Sequence, residues 1–94
     1  MRLFWTPEAI DDRRAIYDYI EADNPTAALT LDELFSEKVL HLIDHPGLGR
    51  IGRNTGTREL VVHKNYILIY DTRVEQVRVL RVLHAARQWP PADH

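Results

Sequence analysis

With no cysteine among its 94 residues, the sequence excludes thiolate nucleophiles, disulfides and thiolate-bound zinc. Its chemistry therefore falls to five histidines and ten arginines. His63 and His84 stand at the ends of two runs rich in β-branched and aromatic residues. Two imidazoles beside arginines suit metal-free RNA cleavage, one acting as base and one as acid, with Arg58, Arg81 and Arg87 stabilising charge on phosphorus. The competing reading makes each a hydrogen-bonded or solvated residue at a strand end. His41 and His45 have the i, i+4 spacing of metal ligands, but no third ligand follows, and solvation of a helix end explains them without a metal. There is no phosphate-binding loop, nucleophile elbow or paired-carboxylate site, so neither a cofactor nor a metal is expected.

The elements that must hold these groups are two β-rich runs, Arg58 to His63 and Tyr66 to Asp71, around the polar pair Lys64 and Asn65, which predicts a tight hairpin. A third run, Val77 to His84, follows after a turn over Thr72 to Gln76 and completes an antiparallel meander. On the middle strand Tyr66, Leu68 and Tyr70 alternate with Ile67 and Ile69, so both faces are apolar. Either the sheet curls around its second face or something outside the chain covers it. Arg81 lies in phase with Val77, Val79 and Leu83. It therefore belongs at an edge or groove, reaching solvent or a partner, or else pairs with Glu59 or Asp71.

Before the meander, Leu3 to Trp5 form a strand candidate whose neighbour the sequence does not specify. Thr6 then Pro7, and Asn24 then Pro25, each give a capping side chain followed by proline at the first helical position. They predict helices from about Pro7 to Ala22 and from Pro25 to about Asp44, the second carrying the stripe Ala28, Leu31, Phe35, Val39 and Leu42. The short link makes them an antiparallel hairpin. Pro46 to Thr57, with all four glycines, reads as a basic loop. Its segment Gly47 to Gly52 matches the G-x-G-x-x-G dinucleotide pattern letter for letter. That match is rejected because a helix precedes it and a strand follows, the reverse of what the motif needs. The expectation is a single α+β domain, with a helical hairpin over about 7–45, a meander over about 57–84 and a tail over 85–94. In the tail, Trp89 beside two prolines is either a core lid or an exposed anchor. No apolar run approaches the roughly 18 residues of a membrane span, and a cytoplasmic protein without a membrane partner is expected. Charge is lopsided: residues 1–46 hold four basic and ten acidic side chains, and residues 47–94 hold eight and four. An acidic partner would be steered to the second half.

Arg58 to His63, Asn65 to Tyr70, and the closing Val82, Leu83, His84, Arg87, Gln88, Trp89, Pro90 resemble the RelE/ParE superfamily of toxins from bacterial toxin-antitoxin modules. The opening is similar too, in Trp5, Thr6, Ala9, Asp12, Ile16 to Ile20, Asn24, Pro25, Ala27 and Ala28. The likeness spans essentially the whole chain. It implies two helices on a curved, mainly antiparallel sheet, and a cognate antitoxin that wraps a segment around the domain and can carry it to operator DNA. With no tyrosine after Tyr70 and only two lysines, the pattern is closer to the ParE branch, whose members act on DNA gyrase. The target contacts that follow are Arg58, Arg78, Arg81, His84, Arg87 and Trp89, and the antitoxin contacts are Tyr66, Leu68, Tyr70 and Arg81. The alternative implied by the RelE branch is a ribosome-dependent mRNA interferase using His63, His84, Arg58, Arg81 and Arg87. A toxin relic that only binds is the third possibility.

Overall fold

The computed structural model describes residues 1–85. Its elements are β1 (Arg2–Trp5), α1 (Pro7–Glu21), α2 (Pro25–Asp44), β2 (Arg50–Ile51), β3 (Arg58–His63), β4 (Tyr66–Arg73) and β5 (Gln76–His84). Both helices start as the capping residues dictate. The Thr6 hydroxyl accepts from the Ala9 amide at 3.1 Å, and Asn24 Oδ1 accepts from the Ala27 amide at 3.0 Å, each satisfying an otherwise orphaned donor of the first turn. Pro46 closes α2, since the residue before proline is pushed out of helical geometry.

The strands form one sheet in the order β1-β5-β4-β3-β2, with β1 parallel to β5 and the remaining neighbours antiparallel. Three details depart from expectation. The basic loop contains a two-residue strand, β2, pairing Arg50 with Glu59 and Ile51 with Arg58. The hairpin between β4 and β5 is tighter than expected: Arg73 already pairs with Gln76, and Glu75 turns the chain at φ 59°. Finally, β5 carries a bulge opposite Ile69 and Tyr70, where Leu80 is the extra residue between Val79 and Arg81. A bulge re-aims the side chains around it, and this one breaks the simple alternation along β5.

The core is a single layer between helices and sheet. Ala9, Leu31, Phe35, Val39 and Leu42 pack on Leu60, Val62, Leu68, Tyr70, Val77, Val79 and Val82. Ile16 and Ile20 close its α1 side. Of the two alternatives for the helix-free face, its centre is closed rather than left open. Ile69 is 0% and Leu83 2% exposed, and Val61 alone of its large apolar groups on β3 to β5 is half exposed. Charged pairs flank that centre, Glu59 being held by Arg50 and Asp71 by Arg78. Among the described residues no helix is long and apolar enough to cross a membrane.

Candidate functional site: the Tyr66 groove and its braces

Tyr66 opens β4, directly opposite His84 on β5 and beside His63 on β3. Leu68 and Tyr70 point the same way but further along the strand, under the helices. Leaving the hairpin turn, Tyr66 instead reaches the rim of the core, where it is half-buried. Its ring meets Phe35 edge-on at 6.0 Å between centroids and His84 edge-on at 5.3 Å, and His63 is 6.5 Å away. These contacts orient a large amphipathic ring without covering it.

Two hollows flank this ring. One, of about 440 Å³, lies between α1 and the end of β5 and is lined by Ala15, Ile16, Tyr19, Tyr66, Val82 and His84, among others. The second, of about 610 Å³, lies between the tip of the helical hairpin and the β3–β4 turn, where Ile20, Asn24, Ala27, Leu31, Leu34 and His63 join Tyr66. Tyr66 lines both, so they make one groove with an aromatic ridge. Tyr19 stands 81% exposed on its wall. A mostly apolar groove with a few hydrogen-bonding groups is suited to receiving the apolar side of a peptide segment.

A brace fixes the α1 wall. Asp12 takes a bidentate grip on Arg81, with Nε to Oδ2 at 2.7 Å and Nη2 to Oδ1 at 2.9 Å, and Oδ2 also accepts from the Val82 amide at 2.9 Å. Val82 lies past the end of β1, where β5 has lost its neighbour, so the carboxylate supplies the partner a strand would have supplied. The Thr6 hydroxyl donates to Leu80 O at 2.9 Å and pins the helix start to the bulge. Hydrogen bonding to Asp12 raises the Arg81 guanidinium above its ordinary value, against the opposing effect of burial. Arg81 thus pairs with Asp12 rather than with Glu59 or Asp71. Arg13 joins α1 to α2 through Asp32 and Ser36 while its guanidinium lies 4.6 Å from the centroid of the Trp5 ring.

The other expected site residues are dispersed. Leu68 and Tyr70 are fully buried beneath the helices and offer no surface to a partner. The strand alternation that placed them with Tyr66 is right, but that face is the core face. Arg78 is paired with Asp71 across β4 and β5, Nε to Oδ1 at 2.9 Å and Nη2 to Oδ2 at 2.6 Å. Arg58 donates to Gly49 O at 2.8 Å. It sits opposite Tyr70, five residues along β3 from His63, which is roughly 17 Å in an extended strand. The histidines therefore come together around Tyr66, while Arg58 and Arg78 do not join them. Arg87 and Trp89 lie outside the described residues. No group of three potential metal ligands occurs among the described residues.

Tyr70 has a structural task instead. Its hydroxyl accepts from the Gly49 amide at 2.8 Å and donates to Pro46 O at 2.7 Å, clamping the start of the basic loop to the core. A Cβ at Gly49 would lie 2.7 Å from Tyr70 Cε1 and 2.9 Å from Glu59 O, which explains the glycine there without any nucleotide. Tyr70→Phe strands two partners of that hydroxyl and should cost about 1–3 kcal/mol in urea unfolding at pH 7. Burial raises the Tyr70 phenol above its ordinary 10.0, against lowering effects of Gly49 and Arg58. The native state thus prefers the protonated phenol. This contribution is complete below pH 10 and is lost as pH rises through the raised native value, so the unfolding free energy of the parent should fall as pH climbs above 10.0, and that component of the fall should be missing in Tyr70→Phe.

The sequence matches the family model described as the ParE toxin of the type II toxin-antitoxin system parDE over residues 3–89. It is 40% identical over 90 residues to the protein Y4kP of Sinorhizobium fredii (strain NBRC 101917 / NGR234), covering 95% of this chain and 93% of that one. It is 35% identical over 86 residues to Toxin RelE2 of Caulobacter vibrioides, covering 92% and 97%. Among solved structures it superimposes on a chain of the chromosomal ParDE toxin-antitoxin system from P. aeruginosa with a TM-score of 0.80 at 27% identity, covering 89% of this chain and 95% of that one. Two capped helices on a five-stranded, mostly antiparallel sheet are the toxin fold of that superfamily. The chain belongs to the ParE toxin family of type II toxin-antitoxin systems.

Proposed function

We propose that this toxin inhibits growth by binding DNA gyrase and that a cognate antitoxin neutralises it by laying an amphipathic segment into the Tyr66 groove. The observation that carries the antitoxin half is the groove itself, a peptide-sized, largely apolar trough across the open edge of the core with Tyr66 as its ridge. The similar P. aeruginosa structure is of a ParDE toxin-antitoxin system, which supports an antitoxin as the occupant. The gyrase half rests on the likeness to ParE toxins, and two arginines of the RNA-cleaving set support it by being engaged elsewhere, Arg58 at Gly49 O and Arg81 at Asp12.

One observation favours the second reading, ribosome-dependent mRNA cleavage: His63 and His84 lie on the two sides of one tyrosine. Expressing the His63→Ala variant without antitoxin separates the two, since His63 belongs to the interferase pair but not to the expected gyrase contacts. Gyrase inhibition predicts growth arrest within a few-fold of the parent at equal protein level. An interferase using this pair would lose its toxicity altogether, since acid–base groups contribute typically 10²–10⁴-fold each.

A further inference from the structure

On the helix-free side of the sheet, away from the groove, lies a hollow of about 120 Å³ lined by Arg50, Arg53, Glu59, Val61, Lys64, Ile67 and Ala85. Its cations come from three separate places: β2, the loop after it, and the β3–β4 turn. Among the described residues Glu59 is the one carboxylate in the lining. Its side chain is 6% exposed and already occupied, accepting Arg50 Nε at 3.3 Å and Nη2 at 3.1 Å through Oε1, and the Arg53 amide at 3.3 Å through Oε2. Glu59 therefore holds the basic loop in place and neutralises one charge of three. The described lining residues keep an excess of two positive charges over an apolar floor of Val61 and Ile67.

Arginine at this density, with lysine, is suited to an anion presenting several oxygens. Size limits the occupant to a small group, and an excess of two positive charges favours a dianion over a carboxylate or a phosphodiester, each of which carries one. We propose that this hollow binds a terminal phosphate group, a phosphomonoester dianion, through Arg50, Arg53 and Lys64, with Glu59 as the residue that positions Arg50. Free phosphate, a nucleotide 5′-phosphate or a phosphorylated side chain would present the same chemistry. The site stands independently of the antitoxin groove, whose residues it does not share.

The test is an amide-shift titration of the purified full chain with methyl phosphate and, separately, dimethyl phosphate and acetate. Methyl phosphate should give saturable shifts centred on Gly52, Arg53 and Lys64, and bind about tenfold more tightly than either monoanion, as one further charge at close range requires. The Arg53→Ala, Lys64→Ala double variant changes two exposed side chains and should weaken methyl phosphate about tenfold or more with an unchanged melting temperature. A 5′-mononucleotide and a phosphoserine peptide then identify the source: whichever binds more tightly than methyl phosphate supplies contacts beyond the shared group. Equal affinity for methyl and dimethyl phosphate, shifts that do not saturate, or full binding by the double variant would overturn the site.

Discussion

Replacing Asp12 with alanine should destabilise the toxin by about 2–4 kcal/mol, far more than an exposed helical carboxylate is worth. Three donors converge on this one side chain, two from Arg81 and one from the Val82 amide, at 2.7–2.9 Å. Its side chain and that of Arg81 are 14% and 26% exposed, so neither screening nor water replaces the pairing fully. Truncation leaves a partly desolvated guanidinium and an unpaired strand amide, which together set the size of the effect. Urea unfolding gives the loss directly. Asp12→Asn, which can still accept from Val82 but cannot form the ion pair, should recover part of it. Because the brace fixes the α1 wall, Asp12→Ala should also loosen the groove and weaken antitoxin capture beyond what the fold loses.

The second large effect is expected at the ridge. Tyr66→Ala removes the one ring shared by both hollows, and a central aromatic anchor of this kind is typically worth about 2–4 kcal/mol in binding. Antitoxin affinity, measured by calorimetry against the cognate partner, should fall roughly 30- to 1,000-fold. Tyr66 also packs on Phe35, so some loss of stability is expected as well. Thr30→Arg separates the two effects. Thr30 is exposed on α2 and lines the groove without entering the core. It should leave the melting temperature near that of the parent while blocking the antitoxin, and strains carrying it should show toxicity that the antitoxin no longer relieves.

The helices were legible in the sequence because their starts are local events. Thr6-Pro7 and Asn24-Pro25 encode cap and first turn within four residues, and the stripe from Ala28 to Leu42 identifies the buried face. The meander was legible for the same reason, through its turn residues and β-rich runs. What stayed hidden is set by distance along the chain. Asp12 reads in sequence as a charge favoured by the helix dipole, and nothing nearby announces a partner 69 residues away in Arg81. The parallel pairing of β1 with β5 is equally non-local. The strand β2 is too short to carry a periodic signal.

Alternation grouped Tyr66, Leu68 and Tyr70 correctly, but it cannot say which face the helices take, and so Leu68 and Tyr70 appeared available when they are core. The single member of that set left at the surface is the one beside the turn, where the sheet outruns its helical cover. The arginines show a related limit. Charge composition located the basic half, but pairing decides which cations remain available. Arg78 and Arg81 are held by Asp71 and Asp12, whereas Arg53 and Lys64, in sequence only a loop and a turn residue, line a positively charged hollow.

The most direct test of the proposed action is tight induction of the toxin alone in growing cells, with DNA and protein synthesis pulse-labelled from the first minutes. Gyrase poisoning predicts an early block of DNA synthesis with an SOS response while translation continues. An early translation block with intact DNA synthesis, or growth unaffected at full expression, would contradict it.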